Sequence, residues 1–107
     1  MASSQAFLDF IMDQLSSLRH VSFRAMMGEY VIYYKGKVIG GIYDDRFLVK
    51  QTKAAKELMP DTELVIPYEG SKGMLLVDNV DDREFLRELI EKMYEELPEP
   101  KTKRYGL

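Results

Sequence analysis

A chain of 107 residues, 46% hydrophobic and 31% charged, is the size and make-up of one globular domain and too short for two independent cores. It contains no cysteine, which excludes disulfides, cysteine-ligated zinc, iron–sulfur clusters and a thiol nucleophile. The net charge of −3 argues against unaided nucleic-acid binding, because basic side chains that neutralise phosphates supply most of that affinity.

No apolar run reaches the roughly 18 residues of a membrane span. The opening Met1-Ala2-Ser3-Ser4-Gln5 lacks the positive and apolar segments of a secretory leader. The expected compartment is therefore the cytoplasm, with no membrane partner.

Residues 3–18 are expected to form an amphipathic helix. Phe7, Leu8, Ile11, Leu15 and Leu18 fall on one face, and Ser3 or Ser4 can cap its start. From Val21 to Lys50 the chain turns rich in Val, Ile, Tyr and Phe, punctuated at Gly28, Lys35-Gly36-Lys37 and Asp44-Asp45. That pattern predicts four short antiparallel strands near Ser22–Met27, Glu29–Lys35, Lys37–Tyr43 and Arg46–Lys50. Thr52–Met59 is expected as a short helix capped by Thr52 and stopped by Pro60. Leu64–Pro67 suits a short edge strand, 68–73 a loop, and Met74–Asp78 a last strand.

Asp81 is expected to cap the final helix, with Glu84 in a capping-box position. Along it Phe85, Leu86, Leu89, Ile90, Met93 and Leu97 make one apolar face before Pro98 and Pro100. Seven acidic and three basic residues between Asp81 and Glu96 describe its solvated side. The fold class is thus α+β in two layers, an antiparallel meander with helices packed mainly on one face, in the order α-β4-α-β-α. The domain is expected over 1–97, with 98–107 as a flexible tail.

Few residues suggest chemistry. His20, the single histidine, follows the first helix, where imidazole can favour the helix C-terminus through the dipole. Asp44-Asp45 and Asp78, Asp81 and Asp82 could offer metal ligands, but they sit where turns and caps are expected. Glu29 and Glu69 are the imaginable carboxylate pair, with nothing in the sequence to bring them together. Gly70-Ser71-Lys72-Gly73 lacks the order of a phosphate loop and precedes a strand, not a helix. No metal or cofactor is expected.

Gly40-Gly41 inside a strand is more telling, marking a bulge or a close approach by another group, such as an aromatic ring lying over the gap. Tyr30 and Tyr34 share one face of their strand, and Tyr33 lies on the other. At least one tyrosine should therefore stand on the sheet face the helices leave uncovered. Such a residue suits partner recognition, or simply finishes a half-solvated sheet.

The run Arg24-Ala25-Met26-Met27-Gly28-Glu29-Tyr30-Val31-Ile32-Tyr33 resembles the signature of the TfoX/Sxy N-terminal domain family. Gly40-Gly41-Ile42, the segment Asp44 to Lys50, Pro67-Tyr68, Met74 and the opening Asp81-Asp82 are similar to further family motifs, in order. The likeness runs from about Phe7 to Leu97. Val31 stands where the family usually has glycine, and Met27 where phenylalanine is frequent; both are compatible with a core. The resemblance implies the same two-layer fold and a regulatory role, as a stand-alone N-terminal domain. Full-length members activate competence genes with the cyclic-AMP receptor protein, so a transcription regulator of that kind is the implied partner. Arg24, which opens the signature, suits either a fold-bracing ion pair or partner recognition.

The expectation is a binding module acting by protein–protein contact, not an enzyme. Its candidate surface comprises Arg24, Tyr30, Tyr33, Tyr34, Gly40, Gly41, Tyr43 and Tyr68. The alternative is a small anionic ligand, or an unknown reaction, held between Arg24, Gly40-Gly41 and the 68–73 loop. A weaker third idea is DNA contact by the basic tail residues Lys101, Lys103 and Arg104. Self-association is left open.

Overall fold

The computed structural model describes residues 3–98, so the expected basic tail contact lies outside the described residues. Helix α1 covers Gln5–Gln14, started by Ser4, whose hydroxyl accepts from the Phe7 amide at 3.1 Å. It is shorter than the periodicity predicts. Leu15 is its C-cap, with its amide on Ile11 O, and Leu18 follows in a tight turn closed on Leu15 O, which keeps both side chains in the core past the last helical residue. His20 lies well past the helix end, exposed and at φ 65°, so it does not serve the α1 dipole.

Four strands follow, β1 (Val21–Met26), β2 (Glu29–Tyr34), β3 (Lys37–Ile42) and β4 (Phe47–Val49). Three two-residue turns join them, Met27-Gly28 (φ 52° and 87°), Lys35-Gly36 (51° and 85°) and Asp44-Asp45 (54° and 56°). Positive φ at both positions is what type I′ hairpins require, because that twist matches the flanking strands. Glycine meets the requirement at no cost and Asp tolerates it; Met27 does not. Nor is Met27 in the core: it is 97% exposed at the hairpin tip, against the core-compatible reading of its residue type.

Helix α2 (Lys53–Leu58) carries two N-terminal caps. Thr52 accepts from the Ala55 amide at 3.0 Å, and the Glu96 carboxylate accepts from Lys53 N at 2.7 Å and Ala54 N at 2.9 Å. The two short strands expected between α2 and α3 both form, β5 (Leu64–Val65) and β6 (Met74–Leu76), one more than the order α-β4-α-β-α counts. The sheet is antiparallel in the order β1-β2-β3-β4-β6-β5, which puts β5 and β1 at its edges. Helix α3 (Arg83–Tyr94) is capped by Asp82, not Asp81: Asp82 accepts from the Phe85 amide at 3.0 Å. A turn closed by Asp82 N on Asn79 O ends one residue later than the capping-box spacing suggests.

Register decides the layers. Tyr30, Ile32 and Tyr34 of β2 turn toward the helices, with Ile42, Phe47, Val49, Leu75 and Val77. A bulge between Ile32 and Tyr33 adds Ile39 to the same side. All three helices meet that face through Leu8 and Ile11, Ala55, and Leu86, Leu89, Ile90 and Met93. Burial on this scale, about 25 cal/mol per Å² of apolar surface, is the main stabilising term. Polar ties fix the helices over it. Gln14 donates to Val80 O at 2.8 Å, Arg83 pairs with Asp13 at 2.7 Å, and the buried Lys37 ammonium donates to Tyr94 O at 3.1 Å.

Two predictions concern stability. Met27→Asn should raise it by about 1 kcal/mol, since Asn is favoured at a first turn position that methionine occupies at a cost; a higher urea midpoint at unchanged slope is the readout. Hydrogen bonds from the Ala54 and Lys53 amides hold the Glu96 carboxyl below its ordinary value. A depressed folded value means stability that is full above the unfolded value of about 4.3 and is lost as pH falls through the folded one. Glu96→Gln should therefore lower the melting temperature at pH 7, with the gap from wild type closing at pH 3.

Candidate functional site

The sheet face turned away from the helices is organised in cross-strand rows. Arg24, Val31, Gly41, Leu48 and Leu76 lie opposite one another on β1, β2, β3, β4 and β6. Ser22, Tyr33 and Val38 form the row beside it. Tyr43 leans back over this face, so that a Cβ on Gly41 would lie 2.7 Å from its Cε2. Tyr68 packs on Tyr43 with ring centroids 6.3 Å apart. Beneath them Leu48 is fully buried and Val31 nearly so, though neither belongs to the helix-side cluster.

The loop that carries Tyr68 is anchored rather than loose. The Ser71 hydroxyl donates to Tyr68 O at 2.7 Å, and Gln51 donates to Gly73 O at 2.8 Å. Tyr68 and Ile66 remain 62% and 63% exposed. Electrostatically the face is mixed. Burial, with Tyr68, Glu29 and Tyr33 nearby, raises the Tyr43 hydroxyl above its ordinary value. Burial and the charge of Lys72 lower the Lys50 ammonium.

The expected residues thus separate into two groups. Arg24, Tyr33, Tyr43 and Tyr68 stand on the outer face, with Gly41 underneath Tyr43. Tyr34, 5% exposed, is a core residue set edge-on to Tyr94, and Tyr30 turns the same way to meet Phe23 edge-on. Gly40 points to the helix side against β4, where a Cβ would run into Leu48 O and come 2.7 Å from Val49 Cα. The glycine pair therefore serves the fold's own close approaches, Gly40 to the β4 backbone and Gly41 to the Tyr30 carbonyl of β2 as well as the Tyr43 ring. Among the described residues Arg24 makes no ion pair or side-chain hydrogen bond, contrary to a bracing role.

The carboxylates are also accounted for. Glu29 accepts from Ser3 N at 3.1 Å, Ser3 Oγ at 2.7 Å and Asp44 N at 3.2 Å, while Asp45 accepts from Ser4 N at 2.7 Å. This clamp fastens the start of α1 to two hairpin ends. Nothing in the local sequence announces it, because its members are 15 to 42 positions apart. Asp78, Asp81 and Asp82 border a hollow at the start of α3, and among the described residues no group of three His, Cys, Asp or Glu could hold a metal ion.

The model of the TfoX N-terminal domain family matches residues 13–97. The chain belongs to that family. It is also 31% identical, over 97% of its own length and 91% of the relative's, to an uncharacterised 12.7 kDa protein in the trpE 5′ region of Spirochaeta aurantia. No solved structure matches it. The TfoX-like signature read from Arg24 to Tyr33 is the β1–β2 hairpin. Its glycine, Gly28, is the left-handed second turn residue at φ 87°, and its first and last residues, Arg24 and Tyr33, lie on the outer face. No helix among the described residues is long and apolar enough to cross a membrane.

The glycines give a graded prediction. Gly40→Ala must displace the β4 backbone and should destabilise by about 3 kcal/mol, near the upper end for overpacking. Gly41→Ala meets Tyr30 O and a tyrosine ring, and Gly73→Ala only the flexible Leu64 side chain. Chemical denaturation should rank the losses Gly40, then Gly41, then Gly73, the last within about 0.5 kcal/mol of wild type.

Proposed function

We propose that this chain is a regulatory protein-binding domain, competence-regulator-like in kind, and that it acts by protein–protein contact through the outer face of its sheet. Membership of the TfoX N-terminal domain family supports the regulatory part of the reading. The observation that carries the binding part is the grouping of Arg24, Tyr33, Tyr43 and Tyr68 on a face over which, among the described residues, no helix packs. Tyrosine and arginine dominate the energetics of protein interfaces. A ring already braced by a neighbour gives up little side-chain entropy on binding.

The partner class is a transcription regulator such as the cyclic-AMP receptor protein. No reaction is assigned to the domain. A small anion between Arg24 and the glycines is the less favoured reading, because the space over Gly41 is filled by Tyr43 and that beside Gly40 by β4.

The test is affinity purification of the tagged chain from its native cells, with mass spectrometry of what is recovered. A transcription regulator should be enriched, and Tyr68→Ala combined with Tyr33→Ala should weaken its binding at least about tenfold. Recovery of nothing above an untagged control would defeat the proposal, as would a double variant that binds undiminished.

A further inference from the structure

We propose that the outer edge of β1 is a strand-addition site for an extended peptide segment of a partner protein, one that alternates apolar and acidic residues. The two edges of this sheet are unequal. β5 is two residues long, followed closely by Pro67, and so offers almost nothing to pair with. β1 is six residues long, holds no proline and no lysine, and is exposed at every position after Val21. Among the described residues no strand lies on its outer side. An edge of this length is ordinarily guarded by charges, a bulge or a covering element, and the bulge found among the described residues lies between β2 and β3.

The hydrogen-bond phase of this edge is fixed. The Lys35 amide donates to His20 O at 2.9 Å, and the register runs from Val21 opposite Tyr34 to Met26 opposite Glu29. Ser22, Arg24 and Met26 therefore spend their backbone groups on β2. The amides and carbonyls of Val21, Phe23 and Ala25 point outward, a run of alternate donors and acceptors that a seventh strand can take up. Side chains alternate with the same phase. Phe23, 46% exposed and edge-on to Tyr30, extends the helix-side layer, while Arg24 extends the outer face. An added strand thus meets an apolar side and a basic side.

Charge selects the occupant. Between Asp13 and Glu29 the chain carries no acidic residue, but it holds Arg19, His20 and Arg24, within a molecule of net charge −3. Arg24 has no ionic partner among the described residues. A second copy paired symmetrically about Phe23 would set Arg24 opposite Ser22, with the two arginines diagonal on one face at about 7–8 Å and no acid to answer either. A strand with glutamate or aspartate at alternate positions answers Arg24 and presents apolar residues to Phe23. The inference takes from the preceding section only that the ligand is a protein.

The test uses the whole chain and a blocked, fluorescent eight-residue peptide of alternating valine and glutamate. A lysine-for-glutamate peptide and one N-methylated at every second amide serve as controls. Fluorescence polarisation should show saturable binding of the glutamate peptide, at least about tenfold tighter than either control and weakened about tenfold by Arg24→Glu. Ala25→Pro removes an outward donor without touching the β2 ladder and should abolish binding. Without any substitution, amide exchange by NMR should slow at Val21, Phe23 and Ala25 when the peptide is added, with Ser22 and Arg24 already slow in its absence. Tyr68→Ala should leave peptide binding unchanged, which separates this edge from the outer face. Equal binding of the lysine peptide, or no slowing of those three amides, would overturn the proposal. So would a homodimer that Ala25→Pro dissociates, since the edge would then belong to a second copy.

Discussion

Register in the four-stranded meander is the constraint on which both the core and the candidate surface rest. Each of its three hairpins turns in two residues with positive φ, leaving the strands no freedom to slide. A slip of one residue would send Ile32 and Tyr34 to the outside and bring Arg24 and Tyr33 against the helices. Chain chemistry opposes that slip at both ends. The helices need the apolar face, and the start of α1 is tied by Glu29 and Asp45 to the hairpin ends themselves. Helix placement and strand register are thus one problem, solved by turns and by a small polar clamp.

Glycine pairs in the middle of a strand usually weaken it, and here they allow close approaches that no other residue permits. At Gly40 the β4 backbone comes close, and at Gly41 the Tyr30 carbonyl of β2 comes close and the Tyr43 ring lies on the sheet. The first draws β4 tightly onto β3 beside the bulge. The ring lays an aromatic floor over Leu48, so the outer face is not a bare sheet but a thin second layer of Tyr43 and Tyr68. A surface built this way is rigid before any partner arrives, which lowers the entropic cost of association.

Much of this was legible in the residues. Period-two alternation separated Tyr33 from Tyr30 and Tyr34. Lys35-Gly36 and Asp44-Asp45 announced their turns, and the apolar stripe from Phe85 to Leu97 announced α3. What escaped depended on tertiary partners or on choices between equivalent neighbours. Asp81 and Asp82 are equally able caps, and only the turn at Asn79 chooses. Leu15 and Leu18 keep helical spacing after the helix has stopped, because the core selects their position rather than their backbone conformation. Met27 reads as core by type, yet the hairpin places it at a tip. Arg24 suits an ion pair or partner recognition by type, and only register sets it between Val31 and the open edge. The Glu29 clamp joins residues too far apart in the chain for any local pattern to show.

The two ends of the sheet carry opposite solutions to one hazard. An unpaired edge invites any extended chain, and natural sheets blunt it at some cost in regularity. β5 is blunted by brevity. β1 is left long, with Phe23, Met26 and Met27 exposed and with a methionine held in a left-handed turn where asparagine would be more stable. Neither exposed apolar side chains nor turn strain improves folding, so stability alone does not account for this hairpin. A binding role accounts for both features together. Apolar residues at the tip and along the edge offer contact area, and Arg24 beside them discriminates by charge against strands that would pair without specificity. On that reading the hairpin with the long exposed edge is the part that selects its partner, and the core behind it serves to hold its register.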